Sequence, residues 1–362
     1  MRILYVITGL QLGGAEKQLL LVAGALKRMG HTIHIVSMKS GGALKHDFEQ
    51  INIAVTELDI TSILNFYKAG VRLKSLIDSF QPDVVHSHMV HANLFSRLAR
   101  LFFPMHRLIC TAHNINEGGK GLMLMYRLTD RLADFSTNVS KEALEHFLKI
   151  KAFNVGRCMY LPNAIDTDLF VVDHSHDRTL RTELGLIEED FIFLAVGRLH
   201  PQKDYPTLLS AFSKIYQYYP KIKLLIAGEG ELLQDLLQLT EKLGINGQVK
   251  FLGRRNDIEK LMNLCDCFVL SSIYEGFGLV IAEAMSTGTF VISTDSGGVK
   301  EVMGGVGKLV PIQAVDQFAD EMSNIVKFRS PISEQARQHI VENFALHHIC
   351  RMWLDLYTGK AR

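Results

Sequence analysis

Apolar residues in this chain gather in short unbroken runs rather than in strict alternation. In the first half 3–8 is such a run, and 31–38, the weaker 53–58, 83–87, 108–112 and 136–139 also read as strands. Continuous apolar strands of this length mark a parallel sheet covered on both faces. Residues 16–29 and 73–80 carry helical spacing, ended by Gly30 and Pro82. The second half repeats the pattern, with strands at 191–196, 223–227, 249–252, 267–270, 289–293 and 309–311. Helical stretches there cover 207–216, 279–286, 316–327 and 333–357, with Asp204 placed to cap the first and Pro206 suited to its opening turn. Strands alternating with helices predict doubly wound α/β sheets, whose ligands bind beyond the strand C-ends. The length suits two domains, and the polar segment 171–182 is the expected linker. The expected division is 1–172, 173–340 and a final segment 341–362.

One stretch, 267–302, concentrates the chemistry. A buried strand runs into a loop at 271–278, then a helix, a second strand, and a turn of Asp295, Ser296, Gly297 and Gly298. Strand, glycine loop and helix start form a phosphate cradle. Glu275 lies in the loop and Glu283 in the helix, about 7 Å along its axis from Gly278 at 1.5 Å per residue. The two carboxylates are therefore staggered along a ligand whose phosphates sit at the helix start. Arg198 and Lys203 follow the 191–196 strand and suit a diphosphate, one as a planar fork and one as a point charge. Two exposed surface cations are the plainer reading.

Composition narrows the class. At 48% hydrophobic and 21% charged, the chain is a folded globular protein, and no run approaches the ~20 apolar residues that span a bilayer. The first residues read as strand one rather than a signal peptide. The five cysteines make no disulfide framework or zinc set and are expected to be buried free thiols in a reducing cytoplasm. Net charge is +5 over 1–172 and −4 over the remainder, too small an imbalance for nucleic acid. The segment 97–107 is either an amphipathic core helix or a membrane-surface contact. The cluster His86, His88 and His91 lacks a carboxylate to complete a metal set, leaving His88 as a candidate cleft residue. Asp166 and Asp168 read as turn and capping chemistry rather than a metal site.

The spacing E-x7-E within YEGFGLVIAEAMSTGTFVISTDSGGVKE closely resembles retaining glycosyltransferases of the GT-B group often called family four. The resemblance extends to GRLHPQKD, where Asp204 replaces the usual glycine, and to LPNAIDTDLF, where Ala164 replaces one. It implies two Rossmann-like domains facing a cleft, the second binding a nucleoside-diphosphate sugar and the first the acceptor, with the last helix returning to the first domain. It implies catalytic roles for His113, Glu275, Arg198 and Lys203. Donor contacts would come from Gly13, Gly14, Gly228, Arg254, Gly276, Phe277, Gly278, Leu279 and Glu283 as well. The expected activity is metal-independent and cofactor-free transfer from a UDP-sugar to a glycan or lipid-linked acceptor. The expected context is bacterial surface polysaccharide, lipopolysaccharide or lipid-linked oligosaccharide assembly. The expected place is the cytoplasm, on the inner membrane face through an anionic surface.

Alternatives are a nucleotide-sugar epimerase, a non-catalytic nucleotide-sugar-binding subunit, or a glycosidase using the two carboxylates. A dinucleotide dehydrogenase would want G-x-G-x-x-G directly after a strand, and neither glycine loop supplies it.

Overall fold

The computed structural model describes every residue except 61–64, 116, 176, 329–332 and 361–362. It divides into two compact units, one of Met1–Ala164 with Leu346–Arg362, the other of Ile165–Ala345.

The first unit holds a parallel sheet built from β1 (Arg2–Ile7), β2 (Thr32–Ser37), β3 (Ala54–Glu57), β4 (Val84–His88), β5 (Leu108–Ala112), β6 (Phe135–Asn138) and β7 (Cys158–Tyr160). Their spatial order is β3-β2-β1-β4-β5-β6-β7. Strands β4 and β5 are buried along their whole length, β5 as a largely apolar run and β4 with His86, Ser87 and His88 as buried polar residues. Chain order reverses between β1 and β4, where Ile7 pairs with His88. Such a reversal opens a crevice beyond the strand C-ends. The last helix, Leu346–Thr358, supplies Ile349, Cys350, Trp353 and Leu356 to the core that also holds Ile3, Leu19 and Ile35.

The second unit repeats the plan with β8 (Phe191–Val196), β9 (Ile222–Ala227), β10 (Val249–Gly253), β11 (Cys267–Leu270), β12 (Phe290–Thr294) and β13 (Lys308–Val310). The order is β10-β9-β8-β11-β12-β13, so the reversal falls between β8 and β11. Phe193, Leu208, Phe212, Leu224, Val269 and Phe318 anchor its core.

Three expectations change. The chain leaves the first unit at Ala164, before the polar 171–182 segment. That segment starts inside the second unit because Asn263 accepts the Asp173 N–H at 2.8 Å and donates to the Val171 carbonyl at 2.9 Å. Residues 333–357 form two helices, Glu334–Phe344 and Leu346–Thr358. Ala345 between them is extended and bridges Ile165, where the chain returns to the first unit. Nor is 97–107 one amphipathic helix. The helix Val90–Ala99 ends early, and Arg97 is fully buried, bonded to Asp130 at 3.0 Å and Ser136 at 2.9 Å. Arg100 is spent on Asp134 at 2.8 Å. What this segment offers solvent is chiefly Leu101 and Phe102. No helix among the described residues is long and apolar enough to cross a membrane.

Candidate active site

In the second unit the residues of the 267–302 stretch converge at the β8/β11 reversal. β11 delivers the loop beginning at Ser271, and Gly278 starts the helix Leu279–Ser286. Glu275 is buried just before that helix, and its Oε1 accepts from Lys203 Nζ at 2.5 Å and from Ser272 Oγ at 2.6 Å. Lys203 ends a short 3₁₀ turn, Pro201–Lys203, and the next residue, Asp204, has φ +46°. That left-handed conformation is the physical reason a glycine is usual there. Asp204 occupies the N-cap position of Tyr205–Tyr216 without capping a backbone amide; its carboxylate accepts the Thr207 hydroxyl at 2.7 Å.

The backbone of the Glu275 loop is fixed by the turn after β12. Gly298 N–H donates to the Glu275 carbonyl at 3.2 Å. Gly297 has φ +60°, and a Cβ there would lie 2.0 Å from the Glu275 carbonyl oxygen. Only glycine fits so close a backbone approach. Gly276, Gly278 and Leu279 share this segment. Phe277 does not offer its ring to a ligand: the side chain is buried edge-on against Phe344, 5.4 Å between centroids. Glu283 is half-buried within the helix.

The other strand ends are stitched beside it. Gly228 donates to the Gly253 carbonyl at 2.8 Å, and Leu199 to the Glu229 carbonyl at 2.9 Å. A Cβ on Gly228 would lie 2.0 Å from the Gly197 oxygen, so its glycine serves loop packing. Arg198 is 70% exposed along its side chain and pairs with Glu231 at 3.2 Å. Both expected cations therefore already have carboxylate partners. Arg254 is exposed and makes no ion pair with a described residue, whereas Arg255 is held by Asp257 and Glu183.

The first unit brings together different chemistry. His113 lies just past β5, buried, its Nε2 3.1 Å from His88 Nδ1. Burial holds the His113 imidazole down at about 4, and those of His86 and His88 well below the usual histidine value. His86 is satisfied on both nitrogens by Tyr357 and Thr111, each at 2.7 Å, while His91 is exposed. Sequence reasoning misses Glu117. Its Oε1 accepts the His113 backbone N–H at 2.6 Å, and its Oε2 accepts the Tyr126 hydroxyl at 2.7 Å. Burial pushes the Glu117 carboxyl up to about 7 despite these bonds. The only available signal was a lone acid in a glycine-rich loop after a strand. Gly13 is the N-cap of the helix Gly14–Arg28 and lies against Glu16.

Asp166 Oδ1 accepts the backbone N–H groups of Asp168 and Leu169, a turn arrangement. Among the described residues no group of three or more His, Cys, Asp and Glu side chains could hold a metal ion. The cysteines are free thiols, all buried but the half-buried Cys158.

Known proteins give the arrangement its setting. The profile described as "Glycosyl transferases group 1" matches residues 176–344, and that of "Glycosyltransferase Family 4" matches 12–169. The chain is 27% identical over 319 residues to the UDP-Gal:alpha-D-GlcNAc-diphosphoundecaprenol alpha-1,3-galactosyltransferase of Escherichia coli, covering 83% of this chain and 82% of that one. It is 26% identical over 307 residues to the N-acetylgalactosamine-N,N'-diacetylbacillosaminyl-diphospho-undecaprenol 4-alpha-N-acetylgalactosaminyltransferase of Campylobacter jejuni, covering 81% and 80%. The crystal structure of Anabaena HepE in complex with UDP superposes with a TM-score of 0.88 at 22% identity, over 99% of this chain and 100% of that one. The fold is GT-B, the two profiles together account for both of its units, and the chain belongs to the glycosyl transferases of group 1.

Proposed function

We propose that this glycosyltransferase moves a sugar from a UDP-sugar to the hydroxyl of a glycan or lipid-linked acceptor, with retention at the anomeric carbon and without a metal. The observation that carries the reading is the Lys203–Glu275 pair beside the start of the helix Leu279–Ser286. An ammonium has three N–H donors. One holds Glu275, leaving two for a phosphate. As the diphosphate leaves, negative charge develops on it. Lys203, the Arg198 fork and the helix-start N–H groups would stabilise that charge. Glu275 would bind hydroxyls of the transferred sugar, Glu283 the ribose and Arg254 the base. A neutral His113 would hydrogen-bond the sugar, with Glu117 fixing the backbone that carries it.

The donor choice draws support from the UDP-glucose complex of HepE. The acceptor draws support from the names of the Escherichia coli and Campylobacter jejuni relatives, both of which specify undecaprenyl-linked substrates. We place the work at the inner membrane face in bacterial surface polysaccharide, lipopolysaccharide or lipid-linked oligosaccharide assembly.

The test is product formation from radiolabelled UDP-glucose, UDP-galactose and UDP-N-acetylglucosamine with an undecaprenyl-diphosphate-linked sugar, under excess chelator. At least one donor should give an α-linked lipid product. A β-linked product refutes retention, and activity recovered only on adding magnesium or manganese refutes metal independence. UDP binding without any turnover favours the non-catalytic subunit.

A further inference from the structure

The backbone at Met89, where β4 gives way to the helix Val90–Ala99, has φ +73° and ψ 157°. That region is open to glycine and costly to any residue with a Cβ. Gln81 and Asp204 also have positive φ, but their ψ of 62° and 46° place them in the ordinary left-handed basin. Strain of the Met89 kind persists only where the surroundings over-determine it. Here a closed ring of hydrogen bonds does so. The Met89 N–H donates to the Thr111 carbonyl at 3.1 Å, and the Met89 carbonyl accepts the Asn93 N–H at 2.9 Å. Asn93 Nδ2 donates to the Tyr126 hydroxyl, and that hydroxyl donates to Glu117 Oε2, each at 2.7 Å. Glu117 Oε1 accepts the His113 N–H at 2.6 Å, and His113 Nε2 lies 3.1 Å from Nδ1 of His88, the residue before Met89. Every member of the ring is buried except Met89, which is half-buried.

We propose that Met89 is a positioning residue: its strained peptide sets where His88 meets His113, and so leaves Nδ1 of His113, rather than Nε2, for the sugar. That His113 meets a sugar rests on the proposed transfer; the ring and its strain do not. The backbone of His113 is held by Glu117. The ring of His88 is backed by that of His86, with centroids 4.0 Å apart. What remains to be fixed is the direction in which the chain carries His88 out of β4, and that is decided at Met89. A relaxed peptide there would let His88 withdraw, freeing Nε2 and letting the His113 ring turn. Proton counting makes the contact readable. Burial keeps both rings uncharged, so each carries one N–H. If His88 Nδ1 donates, His113 Nε2 is bare and its proton sits on Nδ1. If His113 Nε2 donates, the His88 proton sits on its own Nε2. Either way the two rings share one tautomer.

The experiment compares Met89→Gly with Met89→Ala in the full chain. Both lose the Met89 side chain, and only glycine relieves the strain. Urea titrations followed by Trp353 should place the midpoint of Met89→Gly above that of Met89→Ala, the reverse of the usual order for these two residues. Yet kcat, measured with the UDP-sugars and lipid-linked acceptor named above, should fall about tenfold further in Met89→Gly, the cost of a misplaced group. UDP affinity should be equal in the two variants. Imidazole ¹⁵N spectra, assigned with His88→Phe and His113→Asn, need no substrate. They should show His88 and His113 in one shared tautomer in the wild type and in Met89→Ala, and lose that match in Met89→Gly. A midpoint for Met89→Gly at or below that of Met89→Ala overturns the strain. Equal kcat in the two variants, a fall in UDP affinity confined to Met89→Gly, or unlike tautomers in the wild type overturns the positioning role. If the wild type turns over none of the donors, the proposed transfer fails, and the midpoints and tautomers alone decide the ring.

Discussion

The two units share a sheet plan and a reversal point, yet fill the strand C-ends with opposite chemistry. The first sets neutral imidazoles, phenols and a carboxamide in an apolar surround, with His86, His88 and His113 all buried and held uncharged. The second sets cations against carboxylates on glycine loops, Lys203 with Glu275 and Arg198 with Glu231. The difference follows from what each environment can stabilise. Hydroxyl groups are recognised by uncharged donors and acceptors held where water is excluded. A diphosphate needs cations, and cations persist only where solvent or a counter-charge supports them. One sheet plan thus carries neutral polar side chains at one reversal and paired charges at the other.

The most severe way to break the contrast is Gly297→Ala. Its Cβ would lie 2.0 Å from the Glu275 carbonyl in a φ +60° backbone, so the Glu275 loop must move. Turnover should fall by about a thousandfold, roughly 4 kcal/mol of barrier. The single tryptophan, Trp353, lies in the first unit's core, so its unfolding transition should not shift. A shift in that transition as large as the second unit's would show that the two chemistries are not independently held.

Smaller effects should separate the two glutamates. Glu275→Ala should lower kcat about a hundredfold, because its contacts orient the reacting sugar, while free UDP binds nearly as before. Glu283→Ala should instead weaken UDP by roughly 1–3 kcal/mol, the worth of charged hydrogen bonds to ribose. Calorimetry with UDP beside steady-state kinetics decides it. The reverse pattern would mean the donor lies the other way round.

The smallest effect is a pH slope confined to the first unit. His86, His88 and His113 have folded-state values below the usual 6.5, so the unfolded chain binds protons that the folded one does not. Their contribution is fully present above about 6.5 and is lost as pH falls toward the folded values. Each is worth up to about 1.4 kcal/mol per pH unit. Glu117 runs the other way: raised to about 7, it stabilises below the ordinary carboxylate range and that contribution is lost as pH rises to 7. Between about pH 5 and 6.5 it should offset one imidazole. Urea titrations followed by Trp353 should therefore steepen with pH in Glu117→Gln and flatten in His88→Phe. Identical slopes in all three proteins would contradict the buried neutral assignment.

Much of this was legible in the sequence because parallel strands buried on both faces leave an unmistakable apolar run. Residues 108–112, 191–196 and 267–270 match their observed strands, and 279–286 its helix. The Glu275 loop was legible because its glycines and acid are contiguous. What escaped depends on partners distant in the chain. Arg97 looks like a surface cation until Asp130 and Ser136 fold over it. Ala345 is a good helix former, and only pairing with Ile165 makes it extended. Nothing local to Arg198 announces Glu231, thirty-three residues on.

The return of the chain at Ala345 also fixes an order of events during synthesis. The second unit is one continuous segment, Ile165–Ala345, and has all its residues before the first unit does. The first waits for Leu346–Thr358, whose Ile349, Cys350, Trp353 and Tyr357 close a core begun by strand β1. Until those last residues leave the ribosome, the nascent chain carries an uncovered apolar groove against β1 and the helix Gly14–Arg28, with Tyr5 and His86 lacking the Tyr357 hydroxyl that bonds them both. A premature stop within Leu346–Thr358 therefore yields a chain whose Ile165–Ala345 unit is whole but whose other unit is left open, a natural substrate for chaperones and proteases.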